Sequence, residues 1–71
     1  MNKFSAEKLH LSKWTAVHPV NREKHFIVTR LLRDDNEVVQ ACQIEAVHSR
    51  REQTLDWREL KNSERWLQGW L

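Results

Sequence analysis

The stretch His25-Phe26-Ile27-Val28-Thr29-Arg30-Leu31-Leu32-Arg33, followed by Asp34-Asp35-Asn36-Glu37 and then Val38-Val39-Gln40-Ala41-Cys42-Gln43-Ile44-Glu45-Ala46-Val47, decides the fold. Two runs rich in apolar and β-branched residues flank a cluster of Asp and Asn, which is the composition of two strands joined by a turn. The pair predicts a hairpin. A loop of two residues (Asp35, Asn36) or of four (Asp34 to Glu37) gives the same pairing: Ile27 opposite Ile44, Thr29 opposite Cys42, and Arg33 opposite Val38. One face then carries Ile27, Leu31, Val38, Cys42, Ile44 and Ala46, and is the expected core. The other carries Phe26, Val28, Arg30, Leu32, Val39, Ala41, Gln43 and Glu45, half apolar and in need of partial cover. A one-residue slip would mix the two sets.

Outward from the hairpin, Lys13-Trp14-Thr15-Ala16-Val17 has the residues of a further strand. Pro19 bars it from continuing as a central strand. On the other side, His48-Ser49-Arg50-Arg51 reads as a turn, and Glu52-Gln53-Thr54-Leu55 returns antiparallel with Leu55 and Trp57 toward the core. The pattern then becomes helical in short pieces. Asp56 is placed to cap Trp57-Arg58-Glu59-Leu60, and Ser63 to cap Glu64-Arg65-Trp66-Leu67-Gln68, with Gly69 ending the segment. Helices of about one turn do not survive alone, so both must dock through Trp and Leu. Residues 1–11 have a poor helical pattern in Phe4, Leu9 and Leu11, fitting a short turn or an extended arm. The expected architecture is one domain over 1–71, mainly β (α+β). It has a small curled or barrel-like antiparallel sheet of three or four strands across 12–57, and a C-terminal helical cap across 58–71.

Size and composition bound the function. A chain of 71 residues makes a single domain and is marginal without a staple. A disulfide cannot be that staple, because Cys42 is the only cysteine. The start, Met1-Asn2-Lys3-Phe4, has no apolar run of a secretory signal, and no stretch approaches the length of a membrane-spanning helix. With a lone cysteine, the expected location is the cytoplasm. The net charge of +2 is too weak to imply nucleic-acid binding, but it is unevenly spread. Residues 1–33 hold seven Lys or Arg against Glu7 and Glu23, whereas residues 34–71 hold five against eight acidic residues. The asymmetry fits intramolecular complementarity, or a basic end that meets phosphate.

Four tryptophans, Trp14, Trp57, Trp66 and Trp70, supply the largest apolar side chains. Each is expected to bury roughly 150–250 Å², and at least three are expected to serve mainly the core. The combination of Ser12-Lys13-Trp14-Thr15-Ala16-Val17 with Pro19, His25-Phe26, Trp57 with Leu60, and Trp66 before Gly69-Trp70 resembles a family of short tryptophan-rich bacterial proteins of unknown function. The resemblance spans Leu11 to Trp70. It implies a bacterial, free-standing, single-domain protein and supplies no activity, cofactor or catalytic residue.

Little in the chain points to catalysis. His10, His18, His25, His48 and Cys42 lack the close pairing of a zinc site, and Asp34-Asp35-Asn36-Glu37 lacks the glycine and spaced carboxylates of a calcium loop. No metal and no cofactor are expected. There is no G-x-S-x-G elbow, and a mid-strand inward cysteine is normally inert. A pair such as His25 and Glu45 across the hairpin is more often a surface hydrogen bond than an acid–base couple. The protein is therefore expected to be a non-enzymatic binding or interaction module. A protein partner or self-association ranks slightly ahead of single-stranded nucleic acid (RNA), which would use aromatic platforms beside basic residues. The candidate partner-binding residues are Lys13, Trp14, Arg30, Arg50, Arg51, Arg65, Trp66 and Trp70.

Overall fold

A computed structural model describes residues 1–71 as an open five-stranded antiparallel sheet in the order β4-β3-β2-β1-β5. The strands are β1 (Lys13–Val20), β2 (Glu23–Arg33), β3 (Val39–Ala46), β4 (Glu52–Asp56) and β5 (Trp66–Gln68). Two 3₁₀ turns, Ala6–Lys8 and Trp57–Lys61, are the only helical pieces. The mainly-β reading holds, with three corrections. There are five strands, not three or four; the sheet stays open at β4 and β5 instead of closing into a barrel; and no C-terminal helix forms.

The β2–β3 hairpin forms as expected, but its register differs from that predicted, by one residue at Phe26–Val28 and Arg33 and by two at Arg30–Leu32, between two bulges. Phe26 faces Ala46 and Val28 faces Ile44. The cause is a loop of three residues. The carbonyl of Asp34 accepts from Glu37, Asp34 N–H donates to Val38 at 2.9 Å, and Glu37 sits in the left-handed region at φ 65°. This is a type I turn closed by a left-handed residue, normally marked by glycine. Glu37 carries no such mark. Asp34 Oδ1 supports the turn by accepting from Asn36 N–H at 2.8 Å and Val38 N–H at 3.0 Å.

The changed register exchanges part of the expected core. Phe26 and Val28 are buried, while Ile27 is only half-buried beside Glu45. Val39 is buried where Val38 had been expected, and Val38 is exposed. A bulge between Val28 and Arg30 restores the phase, so that Leu31 packs against the core opposite Cys42. Cys42, Ile44 and Ala46 are fully buried as expected, and Leu55 pairs with Cys42. Leu55 and Trp57 both pack on the core cluster.

β1 runs through Pro19 to Val20, farther than expected. Between Thr15, paired with His25, and Val20, paired with Glu23, four β1 residues stand against Lys24 alone. Pro19 lies inside this bulge, where no ladder bond needs its missing N–H. The chain then reverses through Asn21 and Arg22, both at positive φ.

The covering layer comes from both ends of the sequence. Leu9 and Leu60 are buried in the core cluster with Trp14. Phe4 meets Trp14 and Trp57 edge-on at 5.4 and 6.1 Å. Asn2 fastens the arm: its Nδ2 donates to Leu60 O at 2.8 Å and Trp66 O at 2.6 Å, and its N–H to Lys61 O at 2.9 Å. Glu7 adds a two-toothed pair with Arg33 at 2.8 and 2.9 Å. Residues 1–11 are therefore a structural layer over the core face.

Asp56 caps Trp57–Lys61 as expected, accepting from Arg58 N–H at 2.9 Å. Ser63 caps nothing. Asn62 holds the next turn, accepting from Glu64 N–H through Oδ1 and from Arg65 and Trp66 through its carbonyl. Trp66–Gln68, expected to be helical, instead extends beside β1, with Ala16 opposite Trp66 and Trp14 opposite Gln68. Gly69, at φ 84°, ends this strand and turns the chain across the opposite sheet face. There Thr15 Oγ1 donates to Gly69 O at 2.7 Å and accepts from Leu71 N–H at 3.0 Å.

Candidate binding cleft at an open sheet edge

The β1 bulge and the shortness of β5 leave part of the core face uncovered. The result is a cleft of about 360 Å³ between β1, β4, β5 and the turn Trp57–Lys61. Its apolar floor includes Ala16, Phe26, Leu55 and Trp66, and its polar rim includes His18, Gln53, Arg51 and Arg65. Phe26 holds Trp66 edge-on at 5.1 Å, leaving the indole half-buried. A hollow of this size suits one or two side chains of a ligand.

Charge in the cleft is nearly balanced. Glu23 is only 3% exposed although it is ionisable. Arg51 satisfies it through Nε at 3.0 Å and through Nη2, and Ser49 Oγ also donates to it. Those hydrogen bonds pull the Glu23 pKa down to about 2, so Arg51 spends its charge locally. Arg65 makes no ion pair, and Glu59 stands on the opposite wall. The cleft thus combines an apolar floor with two arginines and two glutamates, and no hydrogen bond joins His18, Glu59 and Arg65 within it. The Cys42 side chain is buried on the core face of β3, with its thiol pKa raised to about 11, first by burial and then by Asp56 and Glu59.

Beside the cleft runs an open edge. Ala46 N–H bonds to Arg51 O, so by alternation Gln53 and Leu55 direct their main-chain groups toward β3. The N–H and C=O groups of Glu52 and Thr54 consequently point away from the sheet. The other edge, β5, is only three residues long; there Trp66 O accepts from Asn2, and the Gln68 side chain donates from Nε2 to Lys3 O at 3.2 Å. β4 thus presents the outward main-chain groups of Glu52 and Thr54 to a partner.

The eight candidate residues fall into separate groups. Arg51, Arg65 and Trp66 meet in the cleft. Lys13 and Trp70 meet on the opposite face, with Lys13 Nζ 4.7 Å from the indole centroid and His25 6.0 Å away. Trp70 is 42% exposed and donates from Nε1 to Phe26 O at 2.9 Å, so it is a clasp as well as a surface. Arg30 is exposed at the Thr29 bulge and Arg50 at the β3–β4 turn, apart from both groups. Trp14 is only 1% exposed, with its Nε1 bonded to Ser12 Oγ, and offers no surface. His18, Gln53 and Glu59 carry no local signal, because they come from β1, β4 and the turn after β4 and meet only in the folded chain.

The fold and cleft define a small antiparallel-sheet domain with one free edge beside an aromatic-floored recess. The chain belongs to the tryptophan-rich protein family DUF2389, whose model matches residues 12–71. All four tryptophans lie within that match. No curated protein and no solved structure matches the chain. No helix is long and apolar enough to cross a membrane.

Proposed function

We propose that this protein is a non-enzymatic, cytoplasmic interaction module of bacteria that binds an extended segment of a protein partner along β4. The observation that carries the reading is the outward-facing main chain of Glu52 and Thr54 directly beside the cleft. An added strand gains main-chain hydrogen bonds from the edge and specificity from alternate side chains. Side chains directed to the core face would meet Leu55, Trp66 and Arg65, favouring apolar residues and a carboxylate. Those on the other face would meet Glu52 and Asp56, favouring Lys or Arg.

The same charges argue against self-pairing of β4. An antiparallel pairing of two copies centred on Thr54 would set Glu52 of one opposite Asp56 of the other, and like charges directly opposite are destabilising. The expected RNA alternative has weaker support, because Arg51 is committed to Glu23 and Trp14 is buried.

The test is selection from a displayed random-peptide library, followed by amide chemical-shift mapping with the selected peptides. Thr54→Pro removes an outward N–H without breaking the β3 ladder, and Trp66→Ala empties the cleft wall. The expected peptides alternate apolar or acidic residues with basic ones, shift β4 amides, and bind Thr54→Pro at least about tenfold more weakly. Peptides that bind Thr54→Pro as well as the parent protein would overturn the edge-addition reading. Failure of any peptide to enrich, with single-stranded RNA binding that collapses as salt rises, would replace it with the nucleic-acid alternative.

A further inference from the structure

At the turn end of the sheet, away from the cleft, a second hollow of about 400 Å³ is lined by Arg22, Lys24, His25, His48 and Val47. Its polar residues are all basic types, and no Asp or Glu lines it. Neither Arg22, Lys24 nor His48 is in an ion pair. The nearest carboxylate in sequence, Glu23, lines the cleft and is held by hydrogen bonds from Arg51 and Ser49, with His48 near enough to add a weaker attraction. Two distant turns converge to make the cluster: the β1–β2 reversal supplies Arg22, and the β3–β4 reversal supplies His48.

The backbone adds an independent observation. Asn21 and Arg22 form a two-residue hairpin loop with φ 54° and 62° between Val20 and Glu23. Both positions of such a loop require positive φ, and the second is ordinarily glycine because a Cβ is crowded there. The chain places an arginine at that position. The Arg22 guanidinium makes no ion pair and is held at the turn by the backbone alone.

His25 Nε2 donates to Leu71 O at 2.9 Å, so His25 serves as a wall; we propose that Arg22, Lys24 and His48 form a binding site for a phosphate group. The guanidinium of Arg22 matches phosphate oxygens as a planar fork, and Lys24 adds a mobile point charge. The open, shallow shape suits a phosphate borne on a larger molecule as well as free phosphate.

The experiment is an amide chemical-shift titration of the whole protein with pyrophosphate and with a mixed-sequence single-stranded RNA, against potassium chloride at matched ionic strength. Arg22→Gly is the informative variant, because glycine suits the turn and should raise Tm while removing the fork. The expected result is saturable shifts at residues 22–25 and 47–48, and pyrophosphate binding weakened about tenfold in Arg22→Gly despite the higher Tm. RNA binding much tighter than pyrophosphate at the same amides identifies a polynucleotide as the phosphate's source; equal or weaker binding identifies a small phosphate ligand. Shifts no larger than those from chloride, or undiminished affinity in Arg22→Gly, overturn the site.

Discussion

Replacing Leu9 by alanine asks whether the N-terminal arm is part of the fold or merely rests on it. Leu9 is 1% exposed within the core cluster, while Leu11, two residues on, is 59% exposed. A buried Leu→Ala change costs about 2–5 kcal/mol through lost transfer energy and the cavity left behind. The near-complete burial of Leu9, clamped on both sides by Asn2 and by Leu11 N–H to Val28 O, places it around 3 kcal/mol. At about 0.05–0.15 kcal/mol per residue, a 71-residue domain has roughly 4–10 kcal/mol in total. The variant should therefore lose a third or more of the stability. At roughly 4–8 °C per kcal/mol, Tm should fall by about 12–24 °C. Leu11→Ala should stay within about 4 °C of the parent. Thermal unfolding followed by tryptophan emission and by circular dichroism measures both. Equal effects from the two leucines, or a shift below about 4 °C for Leu9→Ala, would refute the argument that the arm closes the core.

Other perturbations test separate parts of the structure. Glu37→Gly should raise Tm by a few degrees, since relief of the left-handed strain, about 1–2 kcal/mol, exceeds the added chain entropy of about 0.4–1 kcal/mol; an unchanged or lower Tm would contradict the three-residue loop. Glu23 has a folded pKa of about 2, below its ordinary value, so the unfolded chain binds the proton more readily. Its stabilising contribution is complete above the ordinary carboxylate range and drains away as pH falls toward 2. In denaturant titrations between pH 5 and pH 2, Glu23→Gln should therefore show a shallower acid loss than the parent. Cys42 should resist iodoacetamide in the native protein at pH 8 and react promptly after unfolding, because its thiol pKa is raised to about 11 and the side chain is fully buried. Rapid native labelling would mean that the β2–β3–β4 core opens far more readily than its packing implies.

Much of the β framework was legible in the chain. The two apolar runs around Asp34–Glu37 specify a hairpin, Glu52 to Leu55 returns antiparallel with Leu55 toward the core, and Asp56 caps its turn, while Gly69 ends its segment although that segment is a strand and not the expected helix. The turns and the cap follow from local side-chain preferences, and the strands from apolar alternation. Trp14 with its neighbours, Trp57, Trp66 and Trp70 likewise carried the family resemblance, which the match over residues 12–71 bears out.

The candidate site was legible only in fragments. Trp66, Arg65 and Arg51 were identifiable as surface chemistry, yet Arg51 proves tied to a buried Glu23, and Trp14, alike in composition, is sealed inside. Lys13 and Trp70 meet across the sheet through a chain reversal at Gly69. Proximity of this kind depends on strand order, which no local pattern encodes.

The sequence by itself determined a small, mainly β domain, its central hairpin and the stop signals between elements, because those depend on side-chain periodicity and turn chemistry. The tertiary structure decided the register, the fifth strand and the free edge. Glu37 adopts a glycine-like conformation without being glycine, so the hairpin slips by one residue and exchanges Ile27 for Phe26 and Val28 in the core. Trp66–Gln68 is too short to have a conformation of its own; it becomes a strand because β1 offers it main-chain partners and Phe26 offers its indole a wall. β4 is left at an edge because the chain after it crosses through Trp57–Lys61 and lays Trp66–Gln68 beside β1, at the far side of the sheet.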